Sequence, residues 1–458
     1  MIGELTLSQA AIAYGGTLLY PDAHFARVST DTRTLADNDL FVALRGDNFD
    51  GHDFVESAAL KACALVVEHP DKRFPIPQWV VPDTAVALGQ LARLNRSRFE
   101  GPLVALTGSS GKTSVKEMVA AILSLCGPTL ATQGNLNNHI GVPKTLFGLD
   151  ARHRFAVVEM GAGAPGDIAY LCGIARPDIA LVTNVMSAHI AFFGSETAIA
   201  DTKGAIYSGL GPNGVAVINL DQPWSYKWQM AAGSAQVLGF SLESANAEIG
   251  VDGEVAVSAL ASRFTLRIGQ RRREVFLQLP GRHNIANALA AAACAHAAGA
   301  GIDDIVAGLE SVRGTKGRLE MKAGKQGSRI FDDTYNANPG SVRAAIDVLA
   351  AQGGKTILVL GDLGELGSLS SKSHRDLGQY ALEKGIDALF ATGRFAEHTA
   401  RGFGAATRCF DSKQDLAADL VSRLDAGTTV LVKGSRSSAM EDVVAQLIEE
   451  SAHASVVG

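Results

Sequence analysis

The residues with the greatest capacity for chemistry lie in one short window, Thr107-Gly108-Ser109-Ser110-Gly111-Lys112-Thr113, between an apolar run and a helical pattern. Glycines at its turns let successive backbone N–H groups converge on one anion, and the start of the following helix adds partial positive charge. Lys112 is placed to reach the β- and γ-phosphates of a nucleotide, and the Thr113 hydroxyl to ligate Mg²⁺. Strict phosphate-loop spacing wants glycine at position 106, where this chain has Leu106, so the loop is a GxxGKT variant. Three further residues extend the set. Glu159 ends the apolar run FAVVEMG, where the C-terminal edge of a parallel sheet brings it beside the loop as a candidate Mg²⁺ ligand. His189 follows the next strand in TNVMSAHI, and Lys203 sits in ADTKGAIYSGL. By residue type alone, such a histidine is more often packed or at the surface than metal-bound, and such a lysine is a solvated helix residue.

The elements that must hold these groups read as repeated units of strand, glycine turn and helix. LVALTG, FAVVEMG, IALVTNV and VAVINLD are apolar runs without polar alternation, the pattern of buried parallel strands. Strands alternating with helices predict a doubly wound parallel sheet. From about 240 to 280 the pattern turns β-rich, and an alanine-rich helix over 284–298 follows. A second α/β run begins near 328 with RIFDD, TILVLGD, ALFATG and TTVLVKGS. Before residue 98, short strands (DLFVALRG, ALVVEH) precede a helical pattern over 86–99, and Gly101-Pro102 reads as a hinge. The predicted fold is α/β in three domains. A small α/β domain spans 1–98, a central phosphate-loop domain with a β-rich extension spans 99–314, and a Rossmann-like domain spans 315–458.

Length and composition agree with that organisation: 458 residues are about three domains' worth. With 47% apolar and 19% charged residues the chain can build sizeable cores, which excludes intrinsic disorder. No stretch reaches the roughly 18 apolar residues of a membrane span. The first thirteen residues lack the basic segment of a secretory signal. Five widely separated cysteines exclude a CxxC redox motif and a dense disulfide framework, so the expected location is cytoplasmic. A net charge of −6 gives no drive toward nucleic acid or membranes. The basic cluster at 271–273 reads as a solvated hairpin turn.

TGSSGKTSVKEM, GNLNNHIGVPKTL, EMGAG, TNVMSAHI, LPGRHNIANALAA, GRLE, DDTYNANPGS and VLGDLGELG occur in that order. Together they closely resemble the Mur ligases, from residue 29 to about 440. Within the family the chain is similar to members that add D-alanyl-D-alanine to UDP-N-acetylmuramoyl-tripeptide. The sister type that adds the third residue typically carries DNPR, where this chain has the DDTYNANP run beginning at Asp332. His139 departs from an acidic residue common in the family. The resemblance implies that ATP phosphorylates the tripeptide's terminal carboxylate and that the dipeptide amine then displaces phosphate.

It also implies roles for individual residues. Residues 107–113 would hold the ATP phosphates, with Asn284 and Asn287 at adenine, Arg318 at the phosphates and Asp333 at the ribose. Thr113 and Glu159 would hold one Mg²⁺ and His189 a second, and Lys203 matches the lysine that the family carbamylates into an anionic ligand. Lys112, Lys203 and His189 would be the catalytic groups. Ser29, Thr30, Asp31, Arg33, Arg45, Gly46, Asn48 and His52 resemble the UDP-sugar site. Asn137, Asn138, Tyr335, Asn336, Asn338 and Arg436 fall in motifs expected to contact substrates. The run 433–437 follows a buried strand and is placed to present N–H groups to an anion. Small molecules are the expected partners, the chain is expected to act as a monomer, and ATP is expected to draw the last domain closed.

Overall fold

The computed structural model describes residues 1–46, 48–187 and 190–449, so the expectation for His189 lies outside the described residues, as does Asp47. The central sheet has nine strands. In spatial order they are Thr129–Ala131, Phe155–Glu159, Leu103–Thr107, Ile179–Val182, Val215–Asn219, Gln236–Ser241, Ile249–Val257, Ser262–Ile268 and Arg271–Leu277. The first seven are parallel, and the last two close the sheet as an antiparallel meander. The β-rich extension is therefore continuous with the phosphate-loop sheet.

Burial on both faces explains the missing polar alternation in these strands. Val104 and Leu106 pack with residues of the helices Lys112–Cys126 and Arg282–Ala297. Leu103 and Ala105 face the opposite way, toward the helices Asp167–Ala175 and Glu196–Ser208. The helix Arg282–Ala297 is apolar nearly all round and is buried over most of its length, as such a helix must be. Its buried Asn284 and Asn287 are the exceptions, and both are hydrogen-bonded.

A five-stranded sheet precedes it, in the order Thr17–Leu19, Gln78–Val80, Ala64–Val67, Leu40–Val42, Val28–Ser29. Its core includes the fully buried Trp79, whose indole Nε1 donates to the Gly15 carbonyl at 2.9 Å. A six-stranded sheet follows the central one, in the order Glu320–Ala323, Arg329–Asp333, Thr428–Lys433, Lys355–Leu360, Ala388–Thr392, Thr407–Phe410. Only its first pair is antiparallel.

Two local expectations are corrected. The 101–102 segment is braced rather than hinge-like, because a Cβ on Gly101 would meet the Arg154 carbonyl oxygen at 2.2 Å. Beside it, the buried Arg96 guanidinium donates to the carbonyls of Ala175 (2.8 Å), Phe99 (2.9 Å) and Arg176 (3.0 Å) and to Asp178 (2.8 Å). Arg96→Ala strands these acceptors, so it is expected to cost about 3 kcal/mol of stability, read as a lower urea midpoint. The basic run at 271–273 is the start of a strand, not a turn. Arg272 pairs with Asp252, and Arg273 pairs with Asp303 at 2.7 Å.

Candidate active site

The loop 108–111 leaves the C-terminal end of the buried strand Leu103–Thr107 and feeds directly into the helix Lys112–Cys126. Two glycines shape it. Gly111 has φ +79°, and a Cβ on Gly108 would lie 1.9 Å from the Thr183 hydroxyl. Asn184, one strand over, anchors the turn: its carbonyl accepts from Ser109 N–H at 2.9 Å, and its Oδ1 accepts from Ser110 N–H at 3.0 Å. No side chain caps the helix at Gly111, so its first-turn N–H groups are free for an anion. Lys112 folds back over the loop and donates to the Gly108 carbonyl at 2.9 Å.

Below the loop, Thr113 Oγ1 donates to Glu159 Oε2 at 3.0 Å, and Asn137 Nδ2 donates to Glu159 Oε1 at 2.9 Å. Glu159 is buried at its strand end, with its own N–H bonded to Thr132 Oγ1. Lys203 is only 2% exposed and has no hydrogen-bond or ion-pair partner among the described residues. Burial, reinforced by the charge of Lys112, pushes its pKa down to about 7. Burial likewise lowers that of Lys112, with Glu159 opposing and Arg318 adding to the shift. Lys112 and Arg318 bring two cationic side chains to the Thr113–Glu159 pair, the local charge that a polyphosphate would meet.

The last sheet closes the other side of a cavity of about 630 Å³. Arg318 Nη2 donates to Thr113 Oγ1 at 3.0 Å, and its guanidinium lies 4.2 Å from the Tyr335 ring centroid. Asn338 caps the helix Pro339–Ala350 through Oδ1 and donates from Nδ2 to Ser110 Oγ at 2.8 Å. Asp333 is ion-paired to Lys433 Nζ at 2.6 Å and accepts from Leu319 N–H at 3.2 Å. Asn284, Asn287 and Asn336 also line the cavity. Asn287 Nδ2 donates to Asn284 Oδ1 at 3.2 Å, beside Gly111. Asn138 lines the cavity too, but its Oδ1 is turned to the N–H of Gly141 at 2.8 Å.

The other expected residues lie elsewhere. Arg436 is paired with Glu441 at 2.7 Å outside the lining. In the run 433–437, Ser435 N–H is taken by the Asp362 carbonyl and Arg436 N–H by Asn336 Oδ1, so these are not free anion donors. Ser29 ends the strand Val28–Ser29 and Thr30, Asp31 and Arg33 follow it, while Arg45, Gly46, Asn48 and His52 follow the adjacent parallel strand Leu40–Val42. Both groups therefore sit at the same sheet edge. Arg33 grips Asp31 through Nε (2.9 Å) and Nη2 (2.7 Å), holding its carboxyl pKa down to about 2. His52 Nε2 accepts from Glu68 N–H at 3.0 Å, so Nδ1 carries the proton and donates to Asp50 at 2.6 Å. The segment 135–147 links the two places: Asn137 reaches Glu159, while the charge of Lys144 acts on Asp31.

Sequence reasoning missed Asn184 and His283. Asn184 lay in the TNV run without a chemical signature. His283 precedes Asn284, lines the cavity, and has its pKa pushed down to about 4, chiefly by burial. The Lys433 side chain, at the head of the 433–437 run, is paired with Asp333.

Three family models match successive stretches: Mur ligase family, catalytic domain, over 24–96; Mur ligase middle domain over 106–295; and Mur ligase, glutamate ligase domain, over 317–436. The chain is 45% identical over 451 residues to UDP-N-acetylmuramoyl-tripeptide–D-alanyl-D-alanine ligase of Escherichia coli, a match covering 97% of this chain and 99% of that protein. The chain belongs to the Mur ligase family. Among solved structures, this Mur ligase is similar to MurF from Acinetobacter baumannii, with TM-score 0.92 and 37% identity over 98% of this chain and 100% of that one. It is also similar to MurF ligase from Thermotoga maritima in complex with ADP, with TM-score 0.83 and 29% identity over 92% and 96% of the two chains. No helix among the described residues is long and apolar enough to cross a membrane.

Proposed function

We propose that this Mur ligase joins D-alanyl-D-alanine to UDP-N-acetylmuramoyl-tripeptide at the expense of ATP, in peptidoglycan precursor synthesis. One observation carries the reading. The phosphate loop, the Thr113–Glu159 pair and the buried Lys203 face Arg318, Asp333 and Asn338 across a single cavity. A carboxylate repels an incoming amine, so phosphoryl transfer to it supplies both an electrophile and a leaving group. Lys112 and the free N–H groups of the helix start neutralise the transferring oxygens, and Arg318 adds a second cation from the opposite wall. The acyl phosphate is then attacked by the dipeptide amine, and phosphate departs from the tetrahedral intermediate.

The donor set fits Mg²⁺. Thr113 and Glu159 give two hard oxygens, and this ion keeps water and substrate phosphate as its other ligands. Among the described residues no three His, Cys, Asp or Glu side chains converge; on the family resemblance, a carbamylated Lys203 and His189 would be the further protein ligands. Bound there, the metal would lower the charge barrier to phosphoryl transfer. Glu159→Gln is expected to raise the Mg²⁺ concentration for half-maximal rate by at least about tenfold. Magnesium titration of ADP formation measures it.

Asn284 and Asn287 would read adenine and Asp333 the ribose. Residues 29–33 and 45–52 would take the UDP-sugar. In this reading 1–98 holds the sugar nucleotide, 99–314 the ATP, and 315–458 the dipeptide and part of the nucleotide. ATP would hold the last domain closed by bridging the phosphate loop in 99–314 to Arg318 and Asp333 in 315–458. The chain would act as a monomer, and both nucleotide substrates favour a cytoplasmic enzyme. The test is product formation from ATP, the UDP-sugar tripeptide and D-alanyl-D-alanine. Label in the tripeptide's carboxylate oxygen must appear in inorganic phosphate, and its absence refutes the acyl-phosphate route.

A further inference from the structure

We propose that Tyr335 acts as a positioning residue, its ring aiming the Arg318 guanidinium at the transferring phosphate. The inference rests on the reading of Arg318 given above. Arg318 is a long side chain with several rotatable bonds, and no carboxylate forms an ion pair with it among the described residues. What fixes its direction is the Tyr335 ring, 4.2 Å from the guanidinium carbon, and the single bond to Thr113 Oγ1. The backbones are clasped in the same place. Tyr335 N–H donates to the Gly317 carbonyl at 3.1 Å, and Leu319 N–H donates to Asp333 Oδ1 at 3.2 Å. The ring and the arginine-bearing turn therefore move as one piece, and that piece faces the phosphate loop.

The Tyr335 hydroxyl has no hydrogen-bond partner among the described residues, and the residue is 37% exposed. The contact thus uses the aromatic face, where a planar cation stacks, and not the phenol. A residue that gripped substrate through its hydroxyl would behave in the opposite way when that hydroxyl is removed.

The test compares Tyr335→Leu, Tyr335→Met and Tyr335→Phe in the full-length enzyme, each first checked for an unchanged melting transition. Loss of the ring is expected to lower kcat by about fivefold to thirtyfold, the range of guanidinium–aromatic contacts. The KM for ATP should stay within about twofold, because the lost interaction matters mainly in the transition state. Tyr335→Phe should recover the rate, since it keeps the face. Tyr335→Leu combined with Arg318→Ala should be no slower than Arg318→Ala alone, because the ring acts through the arginine. A Tyr335→Phe variant as impaired as Tyr335→Leu, with a raised KM for the dipeptide, overturns the proposal in favour of substrate contact. If Arg318→Ala is damaging while both Tyr335→Leu and Tyr335→Met are neutral, the positioning role alone fails. If Arg318→Ala is neutral, the reading of Arg318 fails with it.

Discussion

Lys112→Ala is expected to slow ADP formation by about a thousandfold or more while leaving the fold intact. Among the described residues the side chain bonds only to the Gly108 carbonyl, and burial already disfavours its charge, so truncation removes little that stabilises the native state. Its positive charge is needed when the terminal phosphoryl group leaves ADP, a moment at which negative charge shifts onto bridging and equatorial oxygens. The loop's N–H groups remain in the variant, because Gly108, Gly111 and the Asn184 anchor set them independently of the lysine. ATP binding should therefore weaken far less than turnover. Lys112→Arg should not restore the rate, since a planar fork cannot occupy the pocket of a compact ammonium curled over its own loop. Single-turnover ADP formation against nucleotide affinity separates the two effects, and a near-normal rate would remove the 107–113 loop from the chemistry.

The strands that build the site were legible because each lies between two apolar layers. Leu103–Thr107 and Phe155–Glu159 are buried along their whole lengths, and an unbroken apolar run is the signature of that environment. The strand RIFDD coincides with Arg329–Asp333 for the same reason. Local texture misled where tertiary packing decides. Gly101-Pro102 has hinge composition, yet the Arg154 carbonyl and the Arg96 guanidinium close around it. Arg271, Arg272 and Arg273 look like a solvated turn until pairing with the strand Ser262–Ile268 extends them and Asp252 and Asp303 partner Arg272 and Arg273.

The site divides in the same way. Lys112, Thr113 and Glu159 could be placed from the phosphate loop and the parallel-sheet edge, since short-range geometry fixes them. The contacts of Arg318 with Thr113 and of Asn338 with Ser110 join residues 205 and 228 positions apart, and no spacing rule reaches that far. Family resemblance named those residues, but only the packing of one sheet against another gives their partners. Asn184 was missed because it acts through its backbone carbonyl and a neutral amide, which leave no chemical mark in a sequence.

Lys203→Met is expected to fold at least as well as the parent and to lose ligation by about a hundredfold or more, the scale of removing an electrostatic group from a closed site. A lysine 2% exposed, without a counter-ion among the described residues, and beside a second lysine is a costly placement for an ammonium group. Its pKa falls from 10.5 to about 7, so charging it favours the unfolded chain, where the ordinary value applies. Its penalty on stability is absent above the unfolded value, grows as pH falls from there, and is complete below about 7. A methionine in its place is free of that penalty. The placement would suit an amine that reacts with CO₂, as proposed for Lys203: only the neutral form attacks CO₂, and the carbamate would be an anion able to face metal and phosphate where the ammonium is not. Carbamylation is accordingly favoured as pH rises through 7 and lost as it falls. Activity in CO₂-depleted buffer should drop for the parent enzyme and return with bicarbonate, more completely at pH 8 than at pH 6. Native mass measurement should find the mass of one CO₂ on the parent and none on Lys203→Met. Full activity after exhaustive CO₂ removal would leave Lys203 as a buried amine, and the second anionic ligand would have to come from elsewhere.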